Sequence, residues 1–199
     1  GQAALTAGNP LEMALLAERL PRDGTFVDIG ANVGLYTLNA AKLLGPGGRI
    51  LAVEPGPEAA RRLRFNLSLN RTDATITHAD CAIGAEEGVM GLYLDASNLG
   101  GSSLVRDHGG TSTPVRVRPL VDVLEETGIT RIDVLKIDIE GAEDKALLPF
   151  FDQAPESLWP RVIIIERSEE SWAGDLLGRF KVAGYRAFGT SRMNWLFER

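Results

Sequence analysis

Residues 25–37 read T-F-V-D-I-G-A-N-V-G-L-Y-T. A short apolar run, Phe26-Val27, leads to Asp28; Gly30, Ala31, Asn32 and Gly34 follow, and a helical pattern starts after them. The order is strand, tight glycine turn, helix. Glycine has no Cβ, so backbone at such a turn can come close to a ligand. The first N–H groups of the next helix have no partner within it and point at whatever sits there. An ordinary strand-to-helix turn also favours small residues, so the meaning of the stretch is settled by what the chain places around it.

Upstream, Leu11, Met13, Leu15, Leu16 and Leu20 recur at mostly helical spacing, with Asn9 as N-cap and Pro10 at the first position, which predicts a helix over 10–20. Downstream, a helix over 33–44 stops at Gly45-Pro46-Gly47-Gly48, a strand over 49–53 ends at Glu54, a helix runs over 57–70, and a strand over 74–79 ends at Asp80. This βαβαβ order, with a polar residue at each strand end, predicts an α/β fold: a parallel, doubly wound sheet with its ligand at the carboxyl ends of the strands. Residues 81–118 break the rhythm. Strands over 89–94 and 115–118 flank a stretch rich in Gly and Ser, read as a small β insertion with a mobile loop after the third strand. A short helix over 119–126, a strand over 132–139, a helix over 142–150, a strand over 161–165, a helix over 171–183 and a closing hairpin, 185–188 with 194–197, complete the pattern.

At 199 residues the chain fits one domain, 1–199, with a sizeable core. Hydrophobic residues are 44% and charged residues 24%, the usual balance of a globular protein. The net charge of −6, with no long basic block, argues against a nucleic-acid partner. Arg61, Arg62 and Arg64 cluster on a predicted helix and read as a solvated face. No apolar run is long enough to span a membrane and no secretory pattern opens the chain, so no membrane partner is expected. The single cysteine, Cys81, excludes an intrachain disulfide and suits a reducing, cytoplasmic compartment.

Glu54 stands at the end of the second strand, where an acidic residue accepts hydrogen bonds from both hydroxyls of an adenosine ribose. Asp80, at the end of the third, is placed to accept from an adenine amino group. The turn is not G-x-G-x-x-G: Asn32 occupies the place of the close-approach glycine, which suits a pyrophosphate poorly. No G-x-x-x-x-G-K-[ST] occurs, and Asp28 before the turn attracts a cationic group. S-adenosylmethionine meets all three conditions, with adenosine, no phosphate, and ammonium and sulfonium charges for Asp28 and the Gly30–Gly34 backbone to hold.

The fourth strand carries Leu135-Lys136-Ile137-Asp138-Ile139-Glu140-Gly141-Ala142-Glu143. Period-two alternation puts Lys136, Asp138 and Glu140 on one side. Central parallel strands are normally apolar on both faces, and a lysine there must be paired or near water. Asp138 and Glu166 are its nearest partners, and a purely structural ion pair stands beside the functional reading. Asp138 is expected where the cofactor's methyl group points.

Together, D-I-G-A-N-V-G-L-Y-T at 28–37, A-V-E-P at 52–55, G-G-S-S at 100–103 and L-K-I-D-I-E-G-A-E at 135–143 resemble the FkbM family of S-adenosylmethionine-dependent methyltransferases. The first motif is shared by many methyltransferases; its combination with K-I-D-I-E-G-A-E is far more specific. The resemblance implies a class I methyltransferase (Rossmann-like) sheet of about seven strands with the last inserted antiparallel, and O-methylation of a hydroxyl on a sugar or natural product. By motif position it implies Asp28, Gly30, Asn32, Gly34, Glu54 and Asp80 as cofactor contacts. The candidate catalytic residues are Asp138, Glu140 and Lys136. Ser102, Ser103 and His108, in the glycine-rich loop, are candidates for holding a small-molecule hydroxyl acceptor. Asp138 and Glu166 could also bind magnesium. Two carboxylates on neighbouring strands equally suit a shared proton or a lysine bridge, so no metal is assigned. A methyltransferase acting on RNA or protein, a nicotinamide dehydrogenase and a non-catalytic cofactor-binding scaffold are the alternatives. There is no N-P-P-Y-like tetrapeptide after the fourth strand to grip a planar amine.

Overall fold

The structure, a computed structural model, describes residues 9–93 and 112–199. Helix α1 (Pro10–Arg19) starts where the Asn9 side chain accepts the Leu11 N–H at 3.0 Å. Then come β1 (Thr25–Ile29), α2 (Leu35–Leu43), β2 (Arg49–Val53), α3 (Pro57–Ser68) and β3 (Thr75–Ala79). β4 (Ala82–Ile83), β5 (Gly88–Tyr93) and β6 (Ser112–Arg118) follow, and then α4 (Leu120–Glu126), β7 (Val134–Ile137) and α5 (Glu143–Gln153). The chain ends with β8 (Val162–Glu166), α6 (Leu176–Val182), β9 (Arg186–Thr190) and β10 (Asn194–Glu198).

Seven strands form one sheet in the order β3-β2-β1-β7-β8-β10-β9. Neighbours from β3 to β8 run parallel, while β10 is antiparallel to both β8 and β9. This is the seven-stranded, doubly wound arrangement with an antiparallel last strand that the resemblance implies. The strand order reverses between β1 and β7, and at such a reversal a crevice opens at the carboxyl ends of the strands. Alternate residues of β1 serve opposite faces: Val27 and Ile29 join the core under α4, α5 and α6, and Phe26 joins the one under α1 and α2. The first of these cores is centred on Phe151. Its ring meets those of Phe150, Trp159, Phe180 and Tyr185 edge-on, with centroids 5.3 to 5.8 Å apart.

Three departures from the sequence reading shape the surroundings of the site. The fourth strand is shorter than 132–139. It starts after Asp133, whose carboxylate accepts the Thr25 N–H at 2.9 Å, and it ends before Glu140 (φ 56°) and Gly141 (φ 94°), which turn left-handed. The expected helix over 171–183 is a 3₁₀ turn, Glu169–Ser171, followed by α6. The Asp144 carboxylate takes the N–H groups of Ala173 and Gly174, and Asp175 then caps α6 through the Gly178 N–H at 2.8 Å. The β insertion is a separate three-stranded sheet, β4-β6-β5; the two-residue β4 is too short to show a period. Most of the glycine-rich loop, with Ser102, Ser103 and His108, lies outside the described residues. Among the described residues no helix is long and apolar enough to cross a membrane.

Phe151→Ala empties the centre of the aromatic cluster. The expected cost is roughly 3–5 kcal/mol, read as a lower urea midpoint with an unchanged slope.

Candidate active site

A cavity of about 400 Å³ opens at the carboxyl ends of β1, β2, β7 and β8, a size usual for small-molecule sites. Its floor is the glycine turn. Gly30 (φ 79°), Asn32 (φ 50°) and Gly34 (φ 94°) all have left-handed backbone. The N–H groups of Gly30 and Ala31 both donate to the Val53 carbonyl at 3.0 Å, tying the turn to β2. A Cβ on Gly30 would lie 2.0 Å from the Asp138 carbonyl oxygen. The turn after β1 and the end of β7 therefore meet only because residue 30 has no side chain.

Glu54 lines the cavity. Its Oε2 accepts the Asn32 N–H at 2.8 Å and its Oε1 the Gly56 N–H at 2.7 Å. Burial pushes its carboxyl up, and those two backbone donors oppose the shift. Each oxygen keeps a lone pair for a further donor.

Of the six residues taken as cofactor contacts, Gly30, Asn32 and Glu54 line the cavity, whereas Asp28, Gly34 and Asp80 do not. Asp28 is buried beneath the turn. Its Oδ2 accepts the Thr37 hydroxyl at 2.6 Å, and its Oδ1 has no hydrogen-bond partner among the described residues. Burial raises its pKa, with Lys136 and Thr37 opposing. Gly34 precedes α2, and a Cβ there would meet Leu63 Cδ1 at 2.6 Å, so its part is packing. Asp80 is drawn outward to Arg64 Nη1 at 2.7 Å and His78 Nδ1 at 3.4 Å. Cys81, Ala82 and Ile83 line the cavity in its place.

All three candidate catalytic residues, Lys136, Asp138 and Glu140, face the cavity. Strand alternation accounts for Lys136 alone, because β7 ends at Ile137. Asp138 and Glu140 arrive through the turn that follows, and Glu143 holds that turn. Glu143, fully buried, accepts the N–H groups of Ile139 at 2.9 Å and Gly141 at 3.3 Å with one oxygen. With the other it accepts the Ser168 hydroxyl at 2.6 Å and the Trp172 indole N–H at 2.8 Å. Lys136 is 3% exposed, and its Nζ donates to Asp138 Oδ2 at 3.2 Å while lying 4.6 Å over the Tyr36 ring. Burial pulls this ammonium down; Asp138, Asp28 and Glu12 outweigh it and leave Lys136 above its ordinary value.

Sequence reasoning gave Glu166 only as a partner for Lys136 or a metal. Here it is a member of the site. Carboxylate oxygens of Asp138, Glu140 and Glu166 lie within 4.8 Å of one another. Such an oxygen-only set is of the kind hard divalent cations take, and a proton relieves the same crowding. Glu166 Oε2 is buried without a hydrogen-bond partner among the described residues. Burial, then the charges of Asp138, Glu140 and Glu143, push the Glu166 carboxyl up to about 8 against the opposing pull of Lys136. Its position at the end of the strand beside Asp138 was the available signal. Tyr36 and Met193, also in the lining, gave none, because only tertiary packing brings them there.

A family profile described as the methyltransferase FkbM domain matches residues 28–187. Methyltransferase sdnD of Sordaria araneosa is 29% identical over 184 residues, covering 76% of this chain and 69% of that protein. The 31-O-demethyl-FK506 methyltransferase FkbM of Streptomyces tacrolimicus is 31% identical over 175 residues, covering 73% of this chain and 64% of that protein. Among solved structures, an S-adenosylmethionine-dependent O-methyltransferase of Thermotoga maritima superposes with a TM-score of 0.53 at 12% identity, covering 96% of this chain and 65% of that one. This last likeness is one of fold.

A carboxyl whose pKa is higher folded than unfolded stabilises the fold while protonated, and that contribution is lost as pH rises to the folded value. Glu166→Gln does not titrate. The stability of this variant relative to the parent is expected to rise between pH 4.5 and about 8 and then level off, checked by urea unfolding across that window.

Proposed function

The chain belongs to the FkbM methyltransferase family, and from that membership we propose that it moves a methyl group from S-adenosylmethionine to a hydroxyl of a sugar or natural-product small molecule. The observation that carries the hydroxyl reading is the meeting of Asp138, Glu140 and Glu166 with the Lys136 ammonium at one end of the cavity. A hydroxyl is weakly acidic, and its proton must be taken as the oxygen is alkylated. Three crowded carboxyl groups, one of them with no hydrogen-bond donor on its buried oxygen among the described residues, suit that task.

The cavity fits the cofactor's chemistry. Glu54 has lone pairs free for a ribose diol, and the turn backbone at Gly30 and Asn32 forms the floor. The cation among the described lining residues, Lys136, is engaged by Asp138 and is no ready partner for a pyrophosphate. When bound, S-adenosylmethionine supplies a methyl group already activated by its sulfonium. The chain's own residues then align the acceptor oxygen, exclude water and accept the proton. Asp138, held by Lys136, and Glu166 are the groups within reach of one another for that proton.

The carboxylates also weigh against RNA as acceptor, since they repel a phosphate backbone, which binds through Lys and Arg. The Streptomyces tacrolimicus relative is named for a 31-O-demethyl compound, a name that supports transfer to oxygen in this family.

The test is calorimetric titration with S-adenosylhomocysteine and, separately, NAD, followed by a methyl-transfer assay over sugar and polyketide hydroxyl acceptors. The homologue should bind and NAD should not; the reverse result removes the reading. Asp138→Asn is expected to slow turnover by about 10²–10⁴-fold while calorimetry shows S-adenosylhomocysteine still bound. A fully active variant takes Asp138 out of the mechanism.

A further inference from the structure

Tyr36 and Met193 both line the cavity beside Lys136 and Asp138. One side chain outside the lining holds both. Glu12, on α1, is 1% exposed. Its Oε2 accepts the Tyr36 hydroxyl. Its Oε1 accepts the Ser191 hydroxyl and, at 2.8 Å, the Asn194 side-chain amide. Ser191 and Asn194 bracket Met193 in the β9–β10 turn, and the Asn194 N–H closes that turn on Ser191 Oγ at 3.1 Å.

A buried carboxylate is costly unless its oxygens are fully paired. An apolar side chain of similar size would pack α1 without that cost. A glutamate is called for at position 12 where the donors themselves must be held. Those donors come from α2 and from the β9–β10 turn. Burial and the Glu12 hydrogen bond push the Tyr36 phenol far above its ordinary value, so Tyr36 is a neutral donor to Glu12. Its ring in turn lies under the Lys136 ammonium at 4.6 Å, a contact that favours the cation.

We infer that Glu12 is a positioning residue for the acceptor end of the cavity, setting the Tyr36 ring beneath Lys136 and fixing the turn that carries Met193. The inference rests on the proposed reading that the acceptor is received at Lys136 and Asp138. It adds that α1, which contributes no lining residue, acts on that end through a single carboxylate.

Nuclear magnetic resonance on the S-adenosylhomocysteine-bound protein, with ¹³C at lysine Cε and methionine Cε, reads both arms. The Lys136 signal is assigned by its loss in Lys136→Arg. Over the Tyr36 ring its ε-protons are expected to carry an upfield displacement. Most of that displacement is expected to vanish in Glu12→Gln and in Tyr36→Phe, both of which keep the ring. The Met193 methyl signal should move in Glu12→Gln and in Ser191→Ala. Affinity for S-adenosylhomocysteine should stay within about threefold in Ser191→Ala. A lower melting temperature with the Lys136 and Met193 signals unmoved makes Glu12 merely structural and overturns the inference. If Glu12→Gln does not fold, Tyr36→Phe and Ser191→Ala decide the two arms separately. Failure of the unaltered protein to bind S-adenosylhomocysteine removes the proposed function, while the Lys136 displacement still decides whether Glu12 holds Tyr36.

Discussion

A lysine sits in the middle of the parallel sheet, and much of the site follows from keeping it charged there. A lone ammonium at that depth would be expelled or neutralised. Lys136 is met instead from three sides. Asp28 stands beside it on β1 in register, Asp138 follows it in the chain, and the face of Tyr36 lies beneath it. Each partner is itself held. Thr37 holds Asp28, Glu12 holds Tyr36, and the turn braced by Glu143 carries Asp138. The charges interact: burial lifts the carboxyls of both Asp28 and Glu166, and this one ammonium opposes the rise in each.

The second constraint is backbone shape. Strand ends bring groups near a crevice, and left-handed residues aim them. The Gly30 turn lets β1 and β7 approach, and the Glu140-Gly141 turn swings Glu140 into the cavity after the strand has ended. The motif K-I-D-I-E-G-A-E thus has a division of labour. Lys136, Asp138 and Glu140 face the cavity, Gly141 makes the bend, and Glu143 fastens it with hydrogen bonds to the backbone on one side and to Ser168 and Trp172 on the other.

The fold was legible because it rests on local signals. Apolar runs of strand length, glycine stops and proline starts gave the βαβ order, and among the described strands only β4, too short for a period, was unseen. The cavity lining was legible where residues directly follow strand ends, as with Gly30, Asn32, Glu54 and Asp138, and where strand alternation within β7 places Lys136. Legibility failed where a side chain had a choice of direction. Asp80 ends a strand like Glu54, yet Arg64 on α3 draws it outward, and Asp28 turns to Thr37 instead of upward. Glu12 could not be found at all, since its partners at Tyr36, Ser191 and Asn194 are assembled only by the tertiary fold.

The placement of β10 has a bearing on how the protein is made. β9 leaves the ribosome before β10, but its place in the sheet lies beyond β10. Until β10 slides between them, β8 keeps an open edge and β9 has no strand to pair with, the exposure that invites wrong pairing between chains. The same arrival delivers Asn194 to Glu12, on α1. Placing β10 in the sheet therefore also brings Glu12 the third of its donors, after Tyr36 and Ser191. A nascent chain short of β10 carries both an unfinished sheet and a Glu12 without its Asn194 donor, and incompletely folded chains are what chaperones and proteases triage.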